Sequence, residues 1–83
     1  LTDTAQKADV VFPAAAFTEV DGFFTNSDRR VQRIRKAADP PGEAKPDWWI
    51  IAEVAKRMES GVHFEYDSSR EVFDELASVS PIY

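Results

Sequence analysis

Four arginines and a lysine crowd into a short stretch of the chain and supply the first chemistry that the sequence suggests. They are Arg29, Arg30, Arg33, Arg35 and Lys36. A guanidinium group donates paired hydrogen bonds that match phosphate oxygens, so the cluster suits a phosphate or pyrophosphate ligand. The residue types alone fit a solvated strand face equally well, and such surface charges contribute little to stability.

Polar residues just before the arginines favour a binding site. Asn26 and Ser27 carry amide and hydroxyl groups of the kind that contact sugars and heterocycles, and Gly22 permits close approach of the backbone. Glu19 and Asp21 form a carboxylate pair nearby. We expect this pair to form ion pairs with the arginines rather than to act as acid or base, because no second type of catalytic group accompanies it.

Residues that could bind a metal or attack a substrate are few. The 83 residues contain no cysteine and a single histidine, His63, so they supply no thiolate and no cysteine ligands for zinc or an iron–sulfur cluster. A net charge of −5 opposes nucleic-acid binding in general. We predict no catalytic residue, no metal ligand and no membrane segment here, and no cofactor or metal bound by these residues alone.

A short strand and a β-hairpin are the elements expected to position the polar residues. The apolar run Val10, Val11 and Phe12 ends at Pro13, which predicts a strand over 9–12 of the kind found in a parallel sheet covered on both faces. One strand cannot make a sheet, so we expect its neighbours to come from sequence outside this chain, which would make the chain a fragment.

Sequences of high β propensity lie on both sides of a turn-prone segment. Phe23 to Thr25 precede Asn26, Ser27 and Asp28, and Val31 to Arg35 follow them. This arrangement predicts a β-hairpin or an open β-loop with Arg29 and Arg30 at its far end.

Two amphipathic helices are predicted after a proline-rich connector over 37–46. Apolar residues recur every three or four positions from Trp48 to Met58, which indicates a helix at about 47–59. Ser68 and Glu71 have capping-box spacing before a second apolar stripe, which indicates a helix at about 69–78. We expect the two helices to pack together through two sets of side chains: Trp48, Ile51 and Met58 against Phe73 and Leu76. The fold class is therefore α/β or α+β, with residues 1–36 forming the strand and β-loop and 47–83 the helical part.

The segments ADVVFPAAAFTEVDGFFTNSDRRVQ and PPGEAKPDWWIIAEVAKRM closely resemble the molybdopterin oxidoreductase family, in particular the catalytic (alpha) subunit of formate dehydrogenase. The resemblance implies that the chain is a single piece of a larger domain, near the end of a dinucleotide-binding region. It also implies that a set of motif residues shapes the cofactor cleft: Glu19, Gly22, Asn26, Arg29 and Arg30.

Members of this family bind a bis(molybdopterin guanine dinucleotide) cofactor with molybdenum or tungsten, and usually iron–sulfur clusters. The implied function is oxidation of formate to carbon dioxide with electrons passed to iron–sulfur clusters and electron-transfer subunits, in a protein expected to be cytoplasmic. Two alternatives stay open. One is the large iron–sulfur subunit of respiratory NADH dehydrogenase, and the other is a small module that binds anions through the arginine cluster.

Overall fold

An antiparallel hairpin and two longer helices carry most of the regular structure. The computed structural model describes residues 2–59, 61 and 63–83. Helix α1 spans Asp3–Lys7, strands β1 and β2 span Gly22–Thr25 and Val31–Ile34, and helices α2 and α3 span Asp47–Arg57 and Ser69–Val79. A 3-10 turn over Phe17–Glu19 precedes β1. This small mixed α/β architecture confirms the predicted fold class.

The hairpin is the first element that the sequence predicted correctly. Its register pairs Gly22 with Ile34 at the open end and Thr25 with Val31 at the loop end. Because side chains alternate along a strand, Phe23 points to the opposite face from its neighbour Phe24. The ring of Phe23 stacks on Phe73 of α3, with centroids 4.4 Å apart and planes inclined by 19°. This pair joins the hairpin to α3.

The strand predicted over 9–12 is wrong for this structure. Val10, Val11 and Phe12 lie in no strand, and they are 68%, 51% and 55% exposed. An isolated parallel bridge forms two residues later, between Ala14 and Lys45. A strand needs a partner backbone to complete its hydrogen bonds, and the described residues place no partner strand beside this run.

The two helices begin where the sequence predicted, although only α3 has a side-chain hydrogen bond at its N-cap. Helix α2 follows Pro46, and its last residue lies two positions before the predicted end. Helix α3 begins after Ser68, whose hydroxyl accepts the amide N–H of Glu71 at 3.4 Å. The Glu71 carboxylate accepts the N–H of Asp67 at 2.8 Å rather than that of Ser68, so only half of the capping box forms.

No helix in the described part of the chain is long and apolar enough to cross a membrane.

The predicted packing of α2 against α3 is wrong for most of its residues, because α3 packs mainly against β1 and Leu76 is itself exposed. Ile51 and Met58 are 65% and 73% exposed, whereas Ala52 is only 4% exposed. Trp48 is half-buried and shares the lining of a cavity of about 390 Å³ with Phe73 and Leu76. The periodicity located the apolar residues of α2 correctly, but α3 packs on the hairpin, and the end of the α2 stripe at Met58 is exposed.

We predict that Phe73→Ala destabilises the chain more than Met58→Ala. Loss of the ring stacked on Phe23 should lower the free energy of unfolding by about 2 to 3 kcal/mol. Truncation of the exposed Met58 should change it by less than about 0.5 kcal/mol. Urea unfolding of the two variants measures the difference, and equal losses would contradict the assigned packing.

A second prediction concerns the carboxylate on the outer face of α2. Hydrogen bonds from Arg57 at 2.6 Å and from Lys56 at 3.0 Å lower the pKa of the Glu53 carboxyl below its ordinary value. A lowered pKa in the folded state stabilises the fold above the unfolded-state pKa, and this contribution is lost as the pH falls through the folded-state pKa. Arg57→Ala should raise the pKa of Glu53 in an NMR titration, and Arg70→Ala, the control, should leave it unchanged. An unchanged Glu53 pKa in Arg57→Ala would rule out the ion pair in solution.

Candidate functional site

The loop that joins the two strands is built around Asn26. The main-chain N–H of Asn26 donates to the carbonyl of Arg30 at 3.0 Å, and the N–H of Arg29 donates to the carbonyl of Asn26 at 3.0 Å. The side-chain Oδ1 of Asn26 accepts the N–H groups of Asp28 at 3.0 Å and Arg30 at 2.9 Å. Its amide nitrogen lies 3.5 Å from Oε1 of Gln32. One half-buried side chain thus fixes the path of the whole loop.

Arg29 adopts a left-handed backbone conformation at the tip of this loop. Its φ angle is 63°, which lies in a region of backbone conformation that residues other than glycine and asparagine rarely adopt. The conformation costs on the order of 1 kcal/mol for an ordinary L-residue. The amides of the residues on either side of Arg29 both donate to Oδ1 of Asn26, so the surrounding hydrogen bonds hold the conformation in place.

The arginine side chains of the cluster are available to a ligand. Arg29, Arg30, Arg33 and Arg35 are all exposed. Within residues 2–59, 61 and 63–83 none of them forms an ion pair, whereas Arg57 and Arg70 each pair with a carboxylate of their own helix. The hairpin therefore presents positive charge that the described structure leaves uncompensated at contact distance.

The predicted ion pairs between the arginines and the two carboxylates are wrong. Glu19 accepts the main-chain N–H of Ala16 at 2.8 Å, and Asp21 accepts the N–H of Lys36 at 3.0 Å. Both carboxylates thus bind backbone donors that no helix or strand partner satisfies, a demand that the residue types did not reveal. Asp21 in this way ties the chain leaving β2 to the segment that enters β1.

Gly22 lies within β1, and its φ is not in the left-handed region. A Cβ atom built there would approach Cγ1 of Ile34 at 3.7 Å, which is an ordinary van der Waals contact. The hairpin itself therefore does not require glycine at this position.

The five residues assigned to the cofactor cleft lie at the two ends of the hairpin. Glu19 and Gly22 lie at the open end, and Asn26, Arg29 and Arg30 lie at the loop end. A strand rises about 3.4 Å per residue, so the two ends are separated by about 10 Å. A ligand that contacts both groups must run along the hairpin, as an extended molecule such as a dinucleotide could.

A cavity of about 340 Å³ with several charged side chains in its lining lies at the open end, between the hairpin and the first turn of α3. Glu19, Asp21 and Arg33 line it from the hairpin side, and Ser69 and Arg70 from α3. Arg70 is engaged with Asp74 at 2.9 Å. The cavity brings Arg33, which was not assigned to the cleft, close to the assigned Glu19. Across the described ranges, no three acidic or histidine side chains gather closely enough to hold a metal ion.

The role of Asn26 as the organiser of the loop is the feature that sequence reasoning missed. Its amide was expected to serve a ligand, yet its oxygen is occupied by two backbone donors. The pattern that could have revealed this role is Asn26-Ser27-Asp28 between two strands, because asparagine at the start of a turn commonly accepts the N–H two residues later.

Comparison with known proteins shows what this hairpin belongs to. A family model described as molybdopterin oxidoreductase matches residues 1–57. Over all 83 residues the chain is 57% identical to the alpha subunit of F420-dependent formate dehydrogenase 2 from Methanococcus maripaludis, and 52% identical to an F420-dependent formate dehydrogenase alpha subunit from Methanocaldococcus jannaschii. It is also 52% identical to a putative formate dehydrogenase of Bacillus subtilis.

The alignments cover this chain completely but only part of each relative. The chain spans 12% of the length of the two archaeal subunits and 8% of the bacterial protein. The residues that the family model matches include the whole hairpin, its loop and all of α2. On this match, the chain belongs to the molybdopterin oxidoreductase family.

Proposed function

We propose that this chain is part of the catalytic subunit of a molybdopterin-dependent formate dehydrogenase. The observation that supports the proposal most strongly is the identity of 57% over every residue of the chain to a formate dehydrogenase alpha subunit. The reaction would oxidise formate to carbon dioxide, with two electrons leaving through iron–sulfur clusters to electron-transfer subunits. The remaining part of a longer protein would supply the residues that contact formate and the metal.

The contribution of this chain would be to house the cofactor. Bis(molybdopterin guanine dinucleotide), with molybdenum or tungsten, would supply the redox chemistry when bound. The donor set of the hairpin fits such a group, since exposed guanidinium groups without carboxylate partners in the described structure match phosphate oxygens. The separation of the two groups of assigned residues also suits a ligand with the length of a dinucleotide.

The activity itself is tested with the full-length protein, purified in the absence of oxygen. Addition of formate should reduce an artificial dye, and elemental analysis should find molybdenum or tungsten in a constant ratio to protein. NADH serves as the control donor. Reduction of the dye by NADH but not by formate, or a preparation without either metal, would contradict the proposal.

The role of the hairpin is tested by the double variant Arg29→Ala/Arg30→Ala in the same full-length protein. A hydrogen bond to a charged group contributes about 1.5 to 3 kcal/mol, so loss of both guanidinium groups should speed release of the cofactor at elevated temperature by about tenfold or more. The matched control is Arg57→Ala/Arg70→Ala, which removes two exposed arginines that already pair with carboxylates.

The amount of metal that remains bound to the protein over time measures the rate at which the cofactor is released. If both double variants keep the metal as long as the unmodified enzyme does, the hairpin does not hold the cofactor.

A further inference from the structure

The left-handed conformation of Arg29 sets it apart from the other arginines of the cluster. Only two residues other than glycine have a positive φ within residues 2–59, 61 and 63–83, and they are Arg29 and Glu59. Glu59 follows Met58, the C-cap residue of α2, at the position where a left-handed residue commonly closes a helix. Arg29 lies in the hairpin loop, where its N–H donates to the carbonyl of Asn26 and where a left-handed residue commonly follows such a turn. Glycine adopts this conformation without strain, whereas arginine adopts it at a cost.

The loop contains a device that keeps Arg29 in this conformation. Oδ1 of Asn26 accepts the N–H of the residue before Arg29 and the N–H of the residue after it, at 3.0 and 2.9 Å. The N–H of Arg29 itself donates to the carbonyl of Asn26 at 3.0 Å. The main-chain N–H groups of the three successive residues 28 to 30 therefore all donate to oxygen atoms of Asn26. Such a clamp fixes the direction in which the side chain of residue 29 leaves the backbone.

Arg30 differs from Arg29 in its backbone conformation. Its main-chain N–H and carbonyl both bond to Asn26, and its φ is not in the left-handed region. Removal of its side chain would leave these backbone bonds intact. Arg29 and Arg30 thus carry the same charge, but only Arg29 has a backbone conformation that costs free energy.

We propose that Asn26 is a positioning residue for Arg29, and that Arg29 is the arginine of this loop whose guanidinium contacts a phosphate of the cofactor. The inference rests on the proposed role of the hairpin in holding that cofactor. Strain of this kind persists where the surrounding structure over-determines it, and it concentrates at ligand-binding positions. Charge alone would be supplied equally well by Arg30.

Four variants of the full-length protein test the inference: Arg29→Gly, Arg30→Ala, Asn26→Ala, and Asn26→Ala combined with Arg29→Gly. Glycine suits the left-handed conformation, so Arg29→Gly removes the guanidinium without disturbing the loop. The readouts are the rate of metal release from the loaded enzyme and the melting temperature of the same protein after its cofactor has been released, neither of which depends on turnover. We expect Arg29→Gly to speed release about tenfold with no decrease in melting temperature, and Arg30→Ala to change release less than about twofold.

The combined variant shows whether Asn26 acts through Arg29. If it does, Asn26→Ala speeds release when Arg29 is present and adds nothing in the Arg29→Gly background, because coupled residues are not additive. An equal effect of Asn26→Ala in both backgrounds would overturn the positioning role. Should Asn26→Ala prevent folding, the comparison of Arg29→Gly with Arg30→Ala decides the assignment of the contact.

Failure of this inference is distinguishable from failure of the proposed function. Fast release in Arg30→Ala with normal release in Arg29→Gly would overturn the assignment to Arg29 while the hairpin still holds the cofactor. Normal release in Arg29→Ala/Arg30→Ala would overturn both this inference and the proposed role of the hairpin, while formate-dependent dye reduction tests the proposed activity separately.

Discussion

The stacking of Phe23 on Phe73 is the contact on which the arrangement of the elements depends. The hairpin has only four residues in each strand, and a two-stranded ribbon of this size is marginally stable in water. Helix α3 is eleven residues long, which is also short for a helix without tertiary packing. Each element thus needs an apolar partner, and the two rings supply one at 4.4 Å.

Backbone hydrogen bonding then decides which polar side chains remain available. Glu19, Asp21 and Asn26 all use their oxygens to accept main-chain N–H groups in the segments around the strands. These acceptors stabilise turns that the short strands cannot stabilise alone. The two carboxylates keep their charge but contact backbone donors rather than guanidinium groups. In the part of the chain that the structure describes, the arginines of the hairpin therefore have no carboxylate at ion-pair distance.

Local features of the fold could be predicted from the sequence, and the partners of those features could not. The hairpin, the start of α2 and the Ser68 cap of α3 follow from propensities and residue types within a few positions of one another. The strand expected at Val10 to Phe12 fails because a strand is defined by a second segment, which local sequence does not specify. The bond from Asp21 to the N–H of Lys36 joins residues fifteen positions apart, and no spacing rule predicts it.

The candidate site shows the same division. The residue types identified the arginine cluster, but the clamp around Arg29 depends on a φ angle that only the structure supplies. The most direct test of the account is an experimental structure of the full-length enzyme with its cofactor bound. If Arg29 holds the cofactor, its guanidinium lies within about 2.7 to 2.9 Å of a phosphate oxygen of the cofactor, as in charge-assisted hydrogen bonds generally. A solvent-exposed Arg29 that lies far from every cofactor atom would contradict it.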